Sequence, residues 1–207
     1  MIRNIFNYLI LLIAIASCGL FARGKNPEVS LQPSGKWHKA VFAGGCFWCM
    51  EPPFEKLKGV KDAISGYSGG KEKNPSYEDV AYGRTGHAES VMVLYDPAVI
   101  SYEKLVDVFF RNIDPTQKNG QFVDTGTQYR TAIFYKTSRE KSIAEKKVAE
   151  INKSARFSKP VVTEITRAGS FYRAEEYHQD FYKKQPGHYK RYRNGSGRDG
   201  FINKYWK

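Results

Sequence analysis

The amino-acid sequence predicts an α/β (α+β) sandwich built on one mixed sheet. Three observations lead there: about five short apolar or alternating runs, longer stretches with helical periodicity between them, and no internal repeat. The 207 residues are 41% apolar and 14% aromatic, which supplies a packed core and excludes a wholly disordered, collagen-like or coiled-coil chain.

The chain opens on a targeting pattern. Arg3 precedes the apolar run Leu9–Ala16, which is shorter than the ~20 residues that span a bilayer. Ile15-Ala-Ser-Cys18 resembles the bacterial lipobox, so residues 1–18 are expected to be a signal that ends with lipidated Cys18 as the new N-terminus. An ordinary signal peptide or an uncleaved anchor are the alternatives. An exported, membrane-anchored lipoprotein facing the periplasm or cell exterior follows from the lipobox reading. Residues 19–36, rich in Gly, Lys, Pro, Ser and Gln, read as a spacer before a folded domain at 37–185.

His38–Ala43 is a short apolar run closed by Gly44-Gly45, the mark of a buried strand ending in a tight turn. Val60–Tyr67 and Ala88–Tyr95 are further strands. In the latter Glu89, Val91, Val93 and Tyr95 share one face. Arg130–Tyr135 and Val161–Ile165 complete the set. Helices are expected at Tyr102–Asn112 behind Ser101 as N-cap, at Ser138–Lys153 with a seam of Ala144, Val148 and Ile151, and at Ala174–Lys184.

The formal charge is +12, from 33 Lys and Arg against 21 Asp and Glu. Much of it lies in residues 183–207, where eight Lys or Arg face Asp199 alone, interleaved with Tyr189, Tyr192, Phe201, Tyr205 and Trp206. A basic aromatic tail at 186–207 is expected to rest on the domain or on an anionic membrane. The export pattern argues against a nucleic-acid partner.

Three cysteines are too few for a disulfide scaffold, but Cys46 and Cys49 stand three residues apart in Gly44-Gly45-Cys46-Phe47-Trp48-Cys49-Met50-Glu51. A cysteine that opens a helix after a strand and two glycines meets unpaired N–H groups and the positive end of the dipole, which favour thiolate. Cys49 follows on the same face, and Pro52 and Pro53 remove the donors to the carbonyls of Trp48 and Cys49, loosening that turn. The residues thus read as a nucleophilic thiol with a resolving partner, against the alternative of two small core cysteines. Phe47 and Trp48 read either as core aromatics or as a wall for a small apolar group such as a methyl. With no second cysteine pair and no clustered His, metal is not expected.

Gly-Cys-Phe-Trp resembles the signature of the class A methionine sulfoxide reductases. The resemblance continues through Gly66-Tyr-Ser-Gly-Gly70, Pro75-Ser-Tyr-Glu-Asp-Val80, Thr85-Gly-His-Ala-Glu-Ser90, Tyr95-Asp-Pro97, Asp114-Pro115, Gly126-Thr-Gln-Tyr-Arg130 and Ala174-Glu-Glu-Tyr-His-Gln179. It implies a two-layer, mainly antiparallel sheet with flanking helices and a ferredoxin-like core. It implies Cys46 as nucleophile on the sulfoxide sulfur and Glu89 as acid. Tyr77 and Tyr129 would bind the oxygen with Asp124 in support, and Phe47 and Trp48 would hold the methyl. Family members with resolving cysteines in a C-terminal tail differ from this chain, whose residues 186–207 contain none, so Cys49 is implied to resolve Cys46. Oxidised proteins or peptides are the implied substrates, an external dithiol such as thioredoxin the reductant, with no bound cofactor and a monomeric chain. A thiol–disulfide oxidoreductase or a lipid-anchored binding module are the competing readings.

Overall fold

The computed structural model describes residues 26–206. The expected signal, Cys18 and the first part of the spacer lie outside the described residues.

Six strands form one sheet in the order β7-β6-β1-β3-β2-β8. Its centre is β1 (His38–Gly44), β2 (Val60–Ser68), β3 (Ala88–Tyr95) and β6 (Thr131–Tyr135), which pair with one another antiparallel. The helix α1 (Phe47–Glu55) joins β1 to β2, and α3 (Tyr102–Phe110) lies between β3 and β6. The spatial order β6-β1-β3-β2 with these crossovers is the split β-α-β arrangement, as the resemblance implied. On one edge β7 (Glu164–Arg167) runs parallel to β6, and on the other β8 (Phe171–Arg173) pairs with β2, so the sheet is mixed.

The alternation in β3 does what the pattern requires. Val91, Val93 and Tyr95 face the larger core with α1 and α3, while Ala88 and Met92 face a smaller cluster on the other side. Phe42 of β1 stacks at 5.2 Å on Phe54 of α1 and at 5.3 Å on Phe109 of α3, which fixes both helices on one face. Ser101 caps α3 by accepting from Lys104 N–H, as expected. The helix α4 (Ser138–Lys153) is capped by Thr137 and buries Ala144 and Ile151.

Several expectations require correction. Strand β7 begins at Glu164 rather than Val161, because Val161 N–H is taken by the Asn152 side chain and Val162 N–H by Pro115 O, away from the sheet. The helix expected at Ala174–Lys184 shrinks to α5 (Phe181–Lys184). Ala174 instead continues the sheet edge, donating to Ser65 O, and the Gln179 amide spans Ser65 N, Ser65 O and Ala174 O. These tertiary bonds override the helical propensity of Glu175–Gln179. The short helix α2 (Tyr77–Ala81), capped by Ser76, and the two-stranded ribbon β4 (Gly120–Gln121) and β5 (Asp124–Thr125) were not foreseen.

Both flanks of the expected domain are packed. From Asn26 onward the supposed spacer covers the exposed edge of β8: Val29 donates to Phe171 O, Arg173 donates to Pro27 O, and Val29 and Leu31 pack on the smaller cluster. The Asn26 side chain donates to Pro75 O at 2.8 Å and to Glu175 Oε1 at 3.0 Å. At the other end the expected tail folds into α6 (Pro186–Gly195) and α7 (Arg198–Trp206), with Tyr192 and Trp206 against the main core and Arg198 buried. No described helix is long and apolar enough to cross a membrane.

Candidate active site

The site forms where β1 hands over to α1. Gly45 has φ +80°, and a Cβ there would lie 2.5 Å from Gln121 Cβ, so only glycine makes this turn. Cys46 is the N-cap of α1 and offers no side-chain cap. The first N–H of the helix, that of Phe47, is instead taken by Glu89 Oε2 at 3.1 Å. One contact therefore brings the β3 carboxyl beside the Cys46 thiol.

A cavity of about 210 Å³ opens over this contact, lined by Cys46, Phe47, Trp48, Tyr77, Glu89, Asp124, Tyr129 and Tyr192. All seven cavity residues named from the sequence converge here, from α1, α2, β3, β5 and the 3-10 turn Thr127–Tyr129. Cys46 is 6% exposed and lines the cavity, so its sulfur is reachable. Cys49 is fully buried on the inner side of the same turn and does not line the cavity.

Burial pushes the Glu89 carboxyl up to about 8, with the charges of Asp124 and Cys49 adding and the Phe47 N–H opposing. Glu89 is thus a neutral acid near pH 7. The cysteines correct one expectation. Burial, then the hydrogen bond to Cys49 and the charge on Glu89, raise the Cys46 thiol, so the helix terminus does not prevail there. Cys49 is brought down to about 7 by the hydrogen bond from Cys46 and by the Arg198 and Arg193 guanidinium groups. Both cysteines are free thiols.

Three tyrosine hydroxyls and the Asp124 carboxyl also line the cavity. Burial holds Tyr77 up to about 12 and raises Tyr129 and Tyr192 further. Tyr192 was not foreseen as a site residue. Its hydroxyl donates to Asp124 Oδ2 at 2.5 Å, which opposes the burial that raises Asp124. The signal was the spacing of Tyr189, Tyr192 and Arg193, which share a helix face at i, i+3 and i+4.

The aromatic wall is fixed by residues behind it. Trp48 stacks on Phe181 with centroids 3.8 Å apart, and its indole N–H donates to His178 Nδ1 at 3.1 Å. Phe47 is buried and meets the same imidazole at 4.9 Å. Glu175 accepts from Tyr67 Oη and from Tyr77 N–H, locking α2 to the sheet. Among the described residues no group of three His, Cys, Asp or Glu is placed to hold a metal ion.

A family model described as peptide methionine sulfoxide reductase matches residues 38–207. The chain belongs to the peptide methionine sulfoxide reductase family. It is 54% identical over 169 residues to peptide methionine sulfoxide reductase MsrA of Listeria monocytogenes serotype 4b (strain CLIP80459), covering 82% of this chain and 96% of that protein. The Bacillus subtilis (strain 168) MsrA is 50% identical over 173 residues, covering 84% and 98%. Among solved structures, reduced Mxr1 of Saccharomyces cerevisiae superposes with a TM-score of 0.70 at 34% identity, covering 76% of this chain and 94% of that one. Methionine sulfoxide reductase A of Corynebacterium diphtheriae gives 0.65 at 32% identity, covering 79% and 78%. The match runs through α6 and α7, so this reductase includes the segment that composition had set apart as a tail. It is an oxidoreductase that reduces methionine sulfoxide.

Proposed function

We propose that this reductase acts on the S epimer of methionine sulfoxide in proteins and peptides, with Cys46 as nucleophile, Glu89 as acid and Cys49 as resolving thiol. The observation that carries the reading is a neutral buried carboxyl and a reachable thiol in one cavity, ringed by tyrosine hydroxyls and an aromatic wall. Phe47 and Trp48 take the methyl group, while Tyr77 and Tyr129 donate to the sulfoxide oxygen. Asp124 and Tyr192 buttress that side.

The first step begins as Cys46 Sγ attacks the sulfoxide sulfur and Glu89 gives its proton to the oxygen. The oxygen leaves the substrate sulfur for Cys46, methionine departs, and the thiol's own proton restores Glu89. Cys46 is then a sulfenic acid, the first rung of thiol oxidation. Cys49 thiolate attacks that sulfur, an S–S bond forms, the S–O bond breaks, and the departing hydroxide takes the Glu89 proton as water. An external dithiol reduces the disulfide by exchange. Thioredoxin in that role is supported by a solved complex of the yeast relative Mxr1 with Trx2, which matches this chain with a TM-score of 0.51 at 27% identity.

For localisation, the pattern of residues 1–18 supports an exported lipoprotein anchored through Cys18. Intact mass of the mature protein checks it: cleavage before Cys18 with added acyl mass is expected, and an unmodified N-terminus removes the anchor. For the chemistry, Cys46→Ser loses reduction of an S-sulfoxide peptide even with dithiothreitol. Cys49→Ser releases one methionine per chain and then stalls with thioredoxin. Sustained thioredoxin-driven turnover by Cys49→Ser shows that another thiol resolves Cys46.

A further inference from the structure

The C-terminal helices bring two guanidinium groups to the inner side of the cysteine turn, where the first chemical step has no use for them. Arg198 of α7 is 1% exposed, yet makes no ion pair among the described residues. Its Nη2 donates to Gly44 O at 3.0 Å, its Nη1 donates to Asn112 O and approaches Met50 Sδ at 3.6 Å, and its Nε has no partner. A buried cation held by neutral carbonyls is costly unless an anion forms nearby. Arg193 of α6 reaches the same turn. Its Nη1 donates to Cys49 O at 3.2 Å, the carbonyl whose helical donor Pro53 removes, while Asp199 holds its Nε at 2.8 Å.

Two acidic groups feel the Arg198 charge, the Asp124 carboxyl and the Cys49 thiol, and of these only the thiolate takes part in disulfide closure. Cys49 faces Cys46 on its own helix, Glu89 from β3, Asp124 from β5, Tyr189 and Arg193 from α6, and Arg198 from α7. Glu89 is neutral and the tyrosine is a hydroxyl, so Asp124 opposes a negative sulfur and the two arginines favour it. Tyr192 partly occupies Asp124 through its hydroxyl.

We propose that Arg198 and Arg193 are positioning residues for the second step, holding the charge on Cys49 Sγ that drives disulfide closure. The assignment rests on the reading of Cys49 as the resolving thiol. In the balanced step above, the arginines gain nothing from sulfoxide reduction itself. They act when Cys49 thiolate attacks the Cys46 sulfenic acid and again when that thiolate is regenerated by dithiol exchange.

The test follows closure in the full chain. Reduced enzyme is mixed with one equivalent of S-sulfoxide peptide, and the disulfide is trapped by acid quench and mass spectrometry from pH 5 to 9. The first-turnover yield of methionine reports that the site is assembled. In Arg193→Gln and Arg198→Met the pH midpoint of closure moves up by about one unit, slowing closure about tenfold at pH 6, the effect of removing one nearby opposite charge. Arg198→Lys keeps the charge and stays within about twofold of the parent at that pH. Should Arg198→Met fail to fold, Arg193→Gln and Arg198→Lys carry the comparison. An Arg193→Gln profile that superimposes on the parent overturns the role of Arg193, and an Arg198→Lys profile displaced as far as a neutral variant overturns that of Arg198. If Cys49→Ser still turns over with thioredoxin, the resolving-thiol reading fails beneath both. If Cys49→Ser stalls while the arginine variants are unmoved, only the present assignment fails.

Discussion

At the scale of single residues, the site works by separating proton affinities that would otherwise lie elsewhere. Glu89 holds its proton to about 8 and Cys49 releases its own at about 7. With Glu89 as the proposed acid, sulfoxide reduction in a single turnover is expected to be flat at neutral pH and to fall as pH rises through about 8, when that proton is lost. With Cys49 as the proposed resolving thiol, turnover with thioredoxin is expected to fall on the acid side as well, below about 7, where Cys49 becomes a thiol. Glu89→Gln removes the alkaline limb and lowers the first-turnover rate by about 10²–10⁴-fold, while equilibrium binding of the sulfoxide peptide persists. Tyr192→Phe leaves Asp124 without its hydroxyl donor and is expected to lower kcat/KM by about tenfold, as loss of one hydrogen bond to a charged group does.

At the scale of elements, α1 docks on β2 through a second buried acid. The Ser65 hydroxyl donates to Glu51 Oε1 at 2.7 Å, Oε2 has no partner, and burial raises this carboxyl from 4.5 to about 8. A carboxyl with raised affinity in the folded state gives stabilisation that is complete at low pH and is lost as pH rises toward that value. Thermal unfolding should therefore show the difference in Tm between the parent and Glu51→Gln narrowing, then reversing in favour of the variant, from pH 5 to 9. An unchanged difference across that range rules the ionisation out. The elements readable from sequence were those whose periodicity expressed one buried face: β1, β2, β3, β6, α3 and α4. The cysteine turn was readable because glycine permits a positive φ, proline removes helical donors, and a thiol at a helix start has a distinctive chemistry. Ala174–Gln179 misled because its helical propensity is local, whereas the Gln179 bonds to Ser65 are not. Tyr192 escaped because α6 buries too little apolar surface to announce a helix, with Arg and Lys between its aromatic residues.

For the whole molecule, the active site draws on α6 and α7 and on the strap that begins at Asn26. Truncation after Gln185 removes Tyr192 from the cavity and both arginines from the cysteine turn, and uncovers the side of Trp48 that Tyr192 meets edge-on at 6.0 Å. The shortened chain is expected to melt several degrees lower and to lose thioredoxin-driven turnover, checked by calorimetry and a coupled assay. Retained turnover would falsify the view that α6 and α7 belong to the catalytic unit.

The N-terminal strap has a consequence for where repair takes place. Asn26 is fastened to Glu175, which also holds Tyr77 at the cavity, so whatever pulls on residue 26 pulls on the rim of the site. Under the proposed lipid attachment, only the stretch from Cys18 to Asn26 separates the acyl chains from that fastening, a leash of about 28 Å at full extension. The catalyst would then patrol a thin shell above the bilayer, and its clients would be the surface-exposed methionines of proteins dwelling within that shell.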